Sequence, residues 1–144
     1  MDSFLDKLPN RWDYSVEIRN PTFLHPTYFE VLKKHNVAHA LNSWERMPPV
    51  SEQINMIGSE TADFVTARFL LRPGKRYQQA KKGFLPYNEI KEPYPEGRTA
   101  LVQLLGRECF CRARKRYIYV NNRFEGSAPW TISVVLEAAK LHGK

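Results

Sequence analysis

The chain has 144 residues, of which 42% are hydrophobic and 26% are charged. This composition argues against a disordered chain, and the length predicts a single domain over residues 1–144. No apolar run approaches the roughly 20 residues of a membrane-spanning helix, and the first residues lack the basic and apolar regions of a signal peptide. We therefore expect a cytoplasmic protein with no membrane partner.

Positive charge is concentrated in the second half of the chain. Residues 1–71 contain 7 basic and 9 acidic side chains, whereas residues 72–144 contain 15 basic and 6 acidic ones. Such asymmetry is typical of a surface that binds a polyanion, although a solvated helix face has the same composition. The run Arg112, Arg114, Lys115 and Arg116 has a helical pattern, which predicts basic groups at a helix C-terminus, where they complement the helix dipole.

The hydrophobic pattern predicts four strands, each followed by helical sequence. Strands are expected over residues 14–19, 37–42, 62–71 and 116–121. Helices are expected over residues 26–35 and 96–115, and a short helix is expected between an N-cap at Ser51 and Gly58. A last helix is expected to begin at residues 126–129, and residues 76–96 are expected to be helical only in part. Strands separated by helices cannot be hairpin partners, so the sheet is expected to be parallel with right-handed crossovers.

Alternation along the strands predicts one apolar and one polar face of the sheet. The residues expected to face helices are Val16, Ile18, Val37, His39, Leu41, Val65, Ala67, Phe69, Ile118 and Val120. The residues expected on the other face are Ser15, Glu17, Arg19, Ala38, Ala40, Asn42, Phe64, Thr66, Arg68, Tyr117, Tyr119 and Asn121. Small residues followed by polar ones suit the interior of a (β/α) barrel, which takes about eight strands. The predicted fold class is therefore α/β, a parallel TIM-barrel-like half-barrel of about four β/α units.

The candidate catalytic residues lie where the predicted strands end, because (β/α) barrels carry their active sites there. Glu17 and Arg19 lie two residues apart and share a face, and Arg68 enters the same interior from the third strand. One interpretation is that these residues form an ion pair with a structural role alone. The other is that Glu17 acts as a general acid or base and Arg68 binds an anion with two hydrogen bonds. Asn121 ends the last strand, where its amide either orients a ligand or water or caps the strand.

Two loops have the composition of phosphate-binding segments. One follows the third strand, and the other, with Ser127, lies at a helix N-terminus, where free N–H groups favour anions. Ser127 is also compatible with a simple N-cap. Trp44 is compatible with a stacking platform for a base or sugar, and also with packing in a proline-rich loop. The candidate ligand-binding residues are Asn42, Trp44, Arg72, Lys75, Arg76, Asn122 and Ser127.

The sequence predicts neither a metal site nor a known cofactor motif. Cys109 and Cys111 are separated by one residue, which fits neither a zinc-knuckle spacing nor a disulfide framework. The four histidines are scattered, and His39 is expected to face the helices. Walker, Rossmann and Gly-x-Ser-x-Gly motifs are absent from the sequence, so the cofactor stays unknown.

Four segments resemble, in order, the YecE-like family (domain of unknown function 72). They are residues 16–21 (VEIRNP), 44–49 (WERMPP), 62–68 (ADFVTAR) and 120–129 (VNNRFEGSAP). The resemblance covers about residues 4–138 and implies a TIM-barrel-like fold of roughly twice this length, with this chain matching its C-terminal half only. It implies no established activity.

The leading functional hypothesis is a site at the carboxyl ends of the strands that binds or hydrolyses a phosphate-bearing small molecule or a nucleic acid. Whether the protein is an enzyme stays open. The alternative is a truncated or split, non-enzymatic half-barrel. Such a half-barrel would self-associate, need a complementary N-terminal half, or serve as a protein-interaction module.

Overall fold

The computed structural model describes residues 1–106 and 110–142, with only the backbone of residue 142. Its strands are β1 (Ser15–Val16), β2 (Ala38–Asn42), β3 (Phe64–Phe69) and β4 (Lys115–Val120). Its helices are α1 (Asp2–Leu5), α2 (Pro26–Lys34), α3 (Val50–Ile54), α4 (Tyr77–Gly83), α5 (Pro95–Leu105) and α6 (Ala128–His142), and a 3₁₀ turn spans Pro21–Phe23.

The four strands form one parallel sheet in the order β1-β2-β3-β4. Each pair of neighbours is connected through helical sequence, as a parallel pairing requires. The predicted parallel α/β fold is therefore confirmed. No helix among the described residues is both long and apolar enough to cross a membrane.

Helices cover the face of the sheet that the sequence predicts to be apolar. Leu41, Val65 and Phe69 are buried in one cluster with residues of α5 and α6, such as Leu104 and Val135. Near β1 and β2, a second cluster forms around Phe29 of α2 and adjoins His39. Residues of the opposite face, such as Arg68 and Tyr119, line an open cleft, and Ala38 and Phe64 of that face are buried in a small cluster. This division confirms the predicted two-faced sheet.

Two of the predicted helices differ from those observed. The helix after the proline-rich loop begins after an N-cap at Pro49 rather than Ser51 and ends at Ile54, short of Gly58. The helix predicted over residues 96–115 ends at Leu105, because Gly106 adopts an extended backbone with ψ 152°. Glycine is a poor helix former, so a chain that must continue into β4 leaves the helix there at little cost.

The basic run near residue 115 therefore does not lie in a helix. Lys115 already pairs with β3, and Arg114 bonds Asp63 at the start of that strand. Arg116 donates to the carbonyl of Gly106 at 3.2 Å, so one cation still interacts with the end of α5, although from a strand. The local pattern resembled a helix, but cross-strand pairing determines the structure of this segment.

Candidate functional site

The candidate catalytic residues lie at the carboxyl end of the parallel sheet. Asn42 ends β2 and lies in register with Arg68 near the end of β3. Asn121 follows β4, and its N–H donates to the carbonyl of Phe69 at 2.8 Å. Because parallel strands end on one edge, the fold brings residues from four separate segments to the same side of the molecule.

Glu17 is the centre of a three-residue ion cluster. Its carboxylate accepts a hydrogen bond from Arg19 Nε at 2.8 Å and a second from Arg68 Nη1. The Glu17 side chain is only 15% exposed, whereas those of Arg19 and Arg68 are 49% and 41% exposed. One carboxylate against two guanidiniums leaves a local excess of one positive charge, with several N–H donors facing solvent.

Trp44 supports this cluster from beneath Arg19. The guanidinium carbon of Arg19 lies 4.2 Å from the centroid of the Trp44 ring, a cation–π distance. Trp44 is half-buried and packs against the cluster of Leu71 and Phe84. The indole therefore holds a guanidinium in position, and a ligand that stacks on that ring face would first have to displace Arg19.

Asn42 is fully buried beside the ion cluster. Its Nδ2 donates to the carbonyl of Ile18 at 2.9 Å, while its Oδ1 accepts no hydrogen bond from any residue the structure describes. The residue is held by Gln53 of α3, which bonds both the N–H and the carbonyl of Asn42 at 3.1 and 2.7 Å. Gln53 was not predicted, because nothing in its local sequence distinguishes it from an exposed helix glutamine.

Arg72 and Lys75 form a second basic cluster around Glu92. Arg72 Nη1 lies 3.2 Å from the Glu92 carboxylate, and Lys75 Nζ contacts its other oxygen. Aromatic rings support both cations, with Arg72 5.5 Å from the Tyr94 centroid and Lys75 4.5 Å from that of Phe84. The two predicted phosphate ligands are thus brought together, and they share a carboxylate that the sequence analysis did not single out.

Arg76 occupies a different position from its two neighbours. It is the N-cap of α4, and its N–H donates to the Gln79 side chain at 3.3 Å. The structure gives no contact between the Arg76 guanidinium and Glu92, so the basic cluster consists of Arg72 and Lys75.

The loop after β4 uses its predicted ligands to hold its own shape. Asn121 Oδ1 accepts from the N–H of Arg123 at 2.9 Å, and Asn122 Oδ1 accepts from the N–H of Ala128 at 2.8 Å. Ser127 is buried, with 2% exposed. The first N–H of α6 is therefore already satisfied by Asn122, which reduces the capacity of this helix end to bind an anion.

Glu125 in the same loop is a buried carboxylate that was not predicted. It is fully buried and accepts hydrogen bonds from Arg98 Nε at 2.9 Å, from Thr131 Oγ1 at 2.8 Å and from the N–H of Tyr94 at 2.5 Å. Its partners come from two helices and a loop, so no spacing in the sequence reveals them. Every oxygen of this carboxylate is engaged, which is the condition under which a buried charge is tolerated.

The fold also gathers three potential metal ligands at the amino end of the sheet. His35 Nε2 lies 2.6 Å from Asp2 Oδ1, and His35 Nδ1 lies 3.6 Å from Asp6 Oδ1. Lys34 Nζ sits 3.0 Å from both oxygens of Asp2. An ammonium group bound to the same carboxylate competes directly with a cation, so this cluster is an ion-pair network in its present arrangement.

Comparison with known proteins assigns a family but no activity. No curated protein and no solved structure matches the sequence. The family described as "Protein of unknown function DUF72" matches residues 1–144, which is the whole chain. The chain therefore belongs to this family, the YecE-like family, as its four ordered segments predict.

Proposed function

We propose that the protein binds a phosphate-bearing ligand at the carboxyl ends of its strands, with Arg68 and Arg19 as the anion ligands. The observation that carries the proposal is the ion cluster around Glu17. Its single carboxylate fixes two guanidiniums beside each other and neutralises only one of them. A planar guanidinium offers paired N–H donors that match phosphate oxygens, and Arg68 keeps 41% of its side chain exposed.

A pre-positioned arginine is a better anion ligand than a freely rotating one. Arg19 is held by both the Glu17 carboxylate and the face of Trp44, so little side-chain freedom remains to be lost on binding. The Arg72 and Lys75 cluster supplies a second local excess of positive charge around Glu92. Hydrolysis of a bound phosphate ester would use Glu17 as the general acid or base, because it is the carboxylate of this cluster.

The test measures binding of inorganic phosphate to the full chain by titration calorimetry or NMR. Arg68→Gln removes one of the two guanidiniums of the Glu17 cluster and is expected to weaken binding by about 10-fold or more, the range for a charge-assisted hydrogen bond. Arg114→Gln is the matched control, since Arg114 also pairs with a carboxylate, that of Asp63, which keeps a second donor in Asn36. Equal affinity of the two variants, or no binding to the unmodified chain, would overturn the proposal.

The competing proposal is a non-enzymatic half-barrel that needs a partner half or acts as a protein-interaction module. Its support is the open cleft on one face of the sheet and the two sheet edges at β1 and β4, since unpaired edges promote association. Sedimentation of the chain distinguishes the two. A compact monomer that binds phosphate through Arg68 contradicts the half-barrel proposal, and stable self-association without phosphate binding supports it.

A further inference from the structure

The face of the sheet opposite α5 and α6 contains a cleft of about 360 Å³. This volume lies within the range of small-molecule sites. Its walls carry the aromatic side chains of Trp12, Phe64, Tyr117 and Tyr119, and Arg68 of the Glu17 cluster also lines it. The cleft and the proposed phosphate site therefore share a residue.

Three of these aromatic side chains are unusually accessible. Trp12 is 61% exposed, Tyr119 is 56% exposed and Tyr117 is 37% exposed. Large aromatic residues concentrated on one exposed concave surface are typical of a binding site rather than of a solvated face.

Tyr117 and Phe64 form a fixed wall of the cleft. The Tyr117 ring meets that of Phe64 edge-to-face, with centroids 6.1 Å apart and an interplanar angle of 78°. The Tyr117 hydroxyl donates to Asp13 Oδ2 at 3.4 Å, and Lys115 Nζ lies 3.3 Å from the same oxygen. These contacts join the segment that carries Trp12 to β4, so the walls of the cleft are connected across the sheet.

Arg68 and Tyr119 are direct neighbours across β3 and β4, since their Cα atoms are paired in the sheet register. Both side chains also line the cleft, so a ligand in it can contact the guanidinium and the tyrosine ring. A ligand with an anionic end joined to a planar ring would satisfy both residues at once.

We propose that this cleft binds a nucleotide, with its phosphate on Arg68 and its base stacked on the aromatic residues Tyr119 and Trp12. The inference rests on the proposed phosphate site and adds the chemical class of its ligand. The hydroxyls of Ser15 and Thr66 also line the cleft and supply hydrogen-bonding groups for a sugar or base edge. A second copy of the chain fits less well, because Asp13 and Arg68 would be buried in the middle of that interface, where charged residues are depleted.

The experiment compares adenosine monophosphate, adenosine and inorganic phosphate as probes, each titrated into the full chain. The nucleotide is expected to bind at least 10-fold more tightly than phosphate. Tyr119→Leu and Trp12→Leu are each expected to weaken nucleotide binding by about 5-fold to 150-fold, the range for loss of one base–aromatic stack, and to leave phosphate binding unchanged. Both side chains are largely exposed, and Trp12 lies outside the strands, so at least the Trp12 variant is expected to fold.

Trp130→Leu is the matched control, because Trp130 is 57% exposed but lies on α6. This variant is expected to bind the nucleotide with unchanged affinity. A ten-nucleotide thymidine strand tests whether the bound nucleotide is part of a single-stranded nucleic acid rather than a free nucleotide. Binding of this strand that depends on Tyr119 and Trp12, and exceeds that of the mononucleotide, identifies the ligand as a unit of single-stranded nucleic acid.

Each failure has a separate meaning. If phosphate binds through Arg68 but the nucleotide binds no more tightly, the nucleotide inference is wrong and the phosphate site stands. If neither probe binds, both proposals are wrong. Should the chain sediment as a dimer that Tyr119→Leu dissociates, the cleft is an interface between copies, and the nucleotide inference is overturned.

Discussion

At the scale of single residues, Glu17 and Glu125 differ in how much the sequence reveals about them. Glu17 could be predicted, because alternation along the strand expected over residues 14–19 places it on the same face as Arg19. The observed β1 ends at Val16, so both residues follow the strand, where their side chains still pair. Glu125 lies in a loop, and its Arg98 and Thr131 partners come from α5 and α6. No periodicity relates these three residues, so Glu125, which is fully buried, could not be predicted from the sequence pattern.

His39 is a second residue whose chemistry depends on its surroundings. It is buried between the rings of Tyr28 and Phe29, with the Tyr28 hydroxyl 3.0 Å from its Nδ1. Burial disfavours the charged imidazolium and lowers the pKa of His39 from its ordinary 6.5 to about 4. The orientation toward the helices was predicted correctly from alternation.

This burial predicts a specific loss of stability in weak acid. The unfolded chain takes up a proton at His39 below about pH 6.5, whereas the folded chain does so only near pH 4. The contribution of neutral His39 to the free energy of unfolding is therefore complete above pH 6.5. It decreases by up to about 3 kcal/mol as the pH falls toward 4. Urea unfolding at pH 7, 5.5 and 4 measures it, and His39→Leu is expected to lack this part of the pH dependence.

The control is His25→Asn, which changes an exposed histidine that accepts from the N–H of Thr27 at the start of α2. Asparagine can replace that cap, so the variant should retain the pH dependence of the unmodified chain. Parallel stability curves for His39→Leu and the unmodified chain would contradict the assignment.

At the scale of elements, the site depends on how helices are joined to the sheet. Gln53 fastens α3 to the end of β2 through three backbone groups, those of Asn42 and Pro48.

Gly97 brings α5 against the loop after β4. A Cβ built on Gly97 would collide with the ring of Phe124 and come within 2.5 Å of that of Tyr94. The predicted helix residues are correct for much of α5, but this contact is a tertiary feature.

Gly97→Ala is therefore expected to destabilise the protein by about 1–3 kcal/mol, the usual cost of overpacking. Phe124 is fully buried, so its ring has no solvent space into which it can move. The measurement is the free energy of unfolding in urea.

Gly83→Ala is the matched control, because it also lies in a helix, and a Cβ there meets no atom within 4 Å. This variant is expected to be neutral or slightly stabilising, since alanine has the higher helix propensity. Equal effects of the two substitutions would show that close packing at Gly97 is not what limits this position.

At the scale of the whole molecule, the distribution of charge is uneven and the sheet has two different faces. Residues 72–144 carry 15 basic and 6 acidic side chains. Part of this excess is balanced by acidic residues of the first half, since Arg114 pairs with Asp63 and Lys115 pairs with Asp13. In the proposed function, the remaining positive charge would attract a polyanion electrostatically.

Binding of a single-stranded oligonucleotide is therefore expected to weaken as salt concentration rises. The logarithm of affinity should fall by about 0.7 per phosphate neutralised for each logarithmic unit of salt. Changing Arg72, Lys75 and Arg76 together to Ala is expected to reduce both the affinity and this slope. Fluorescence anisotropy at several salt concentrations provides the measurement.

Three exposed lysines elsewhere, Lys7, Lys33 and Lys140, provide a control that removes the same number of charges. Their joint replacement by Ala is expected to change the slope less. Binding that shows no salt dependence, or that survives the triple change at Arg72, Lys75 and Arg76, would contradict a phosphate site in this loop.

The sequence by itself determined the parallel α/β order, the two faces of the sheet and the grouping of Glu17, Arg19 and Arg68. These features follow from the periodicity of each segment, because side chains alternate between the two faces along a strand. Only the tertiary structure decided where α5 ends, that Glu92 joins Arg72 and Lys75, and that Trp12 and Tyr119 line one cleft. Such contacts join residues far apart along the chain, as Arg72 and Glu92 are by 20 positions, and arise only when packing brings the segments together.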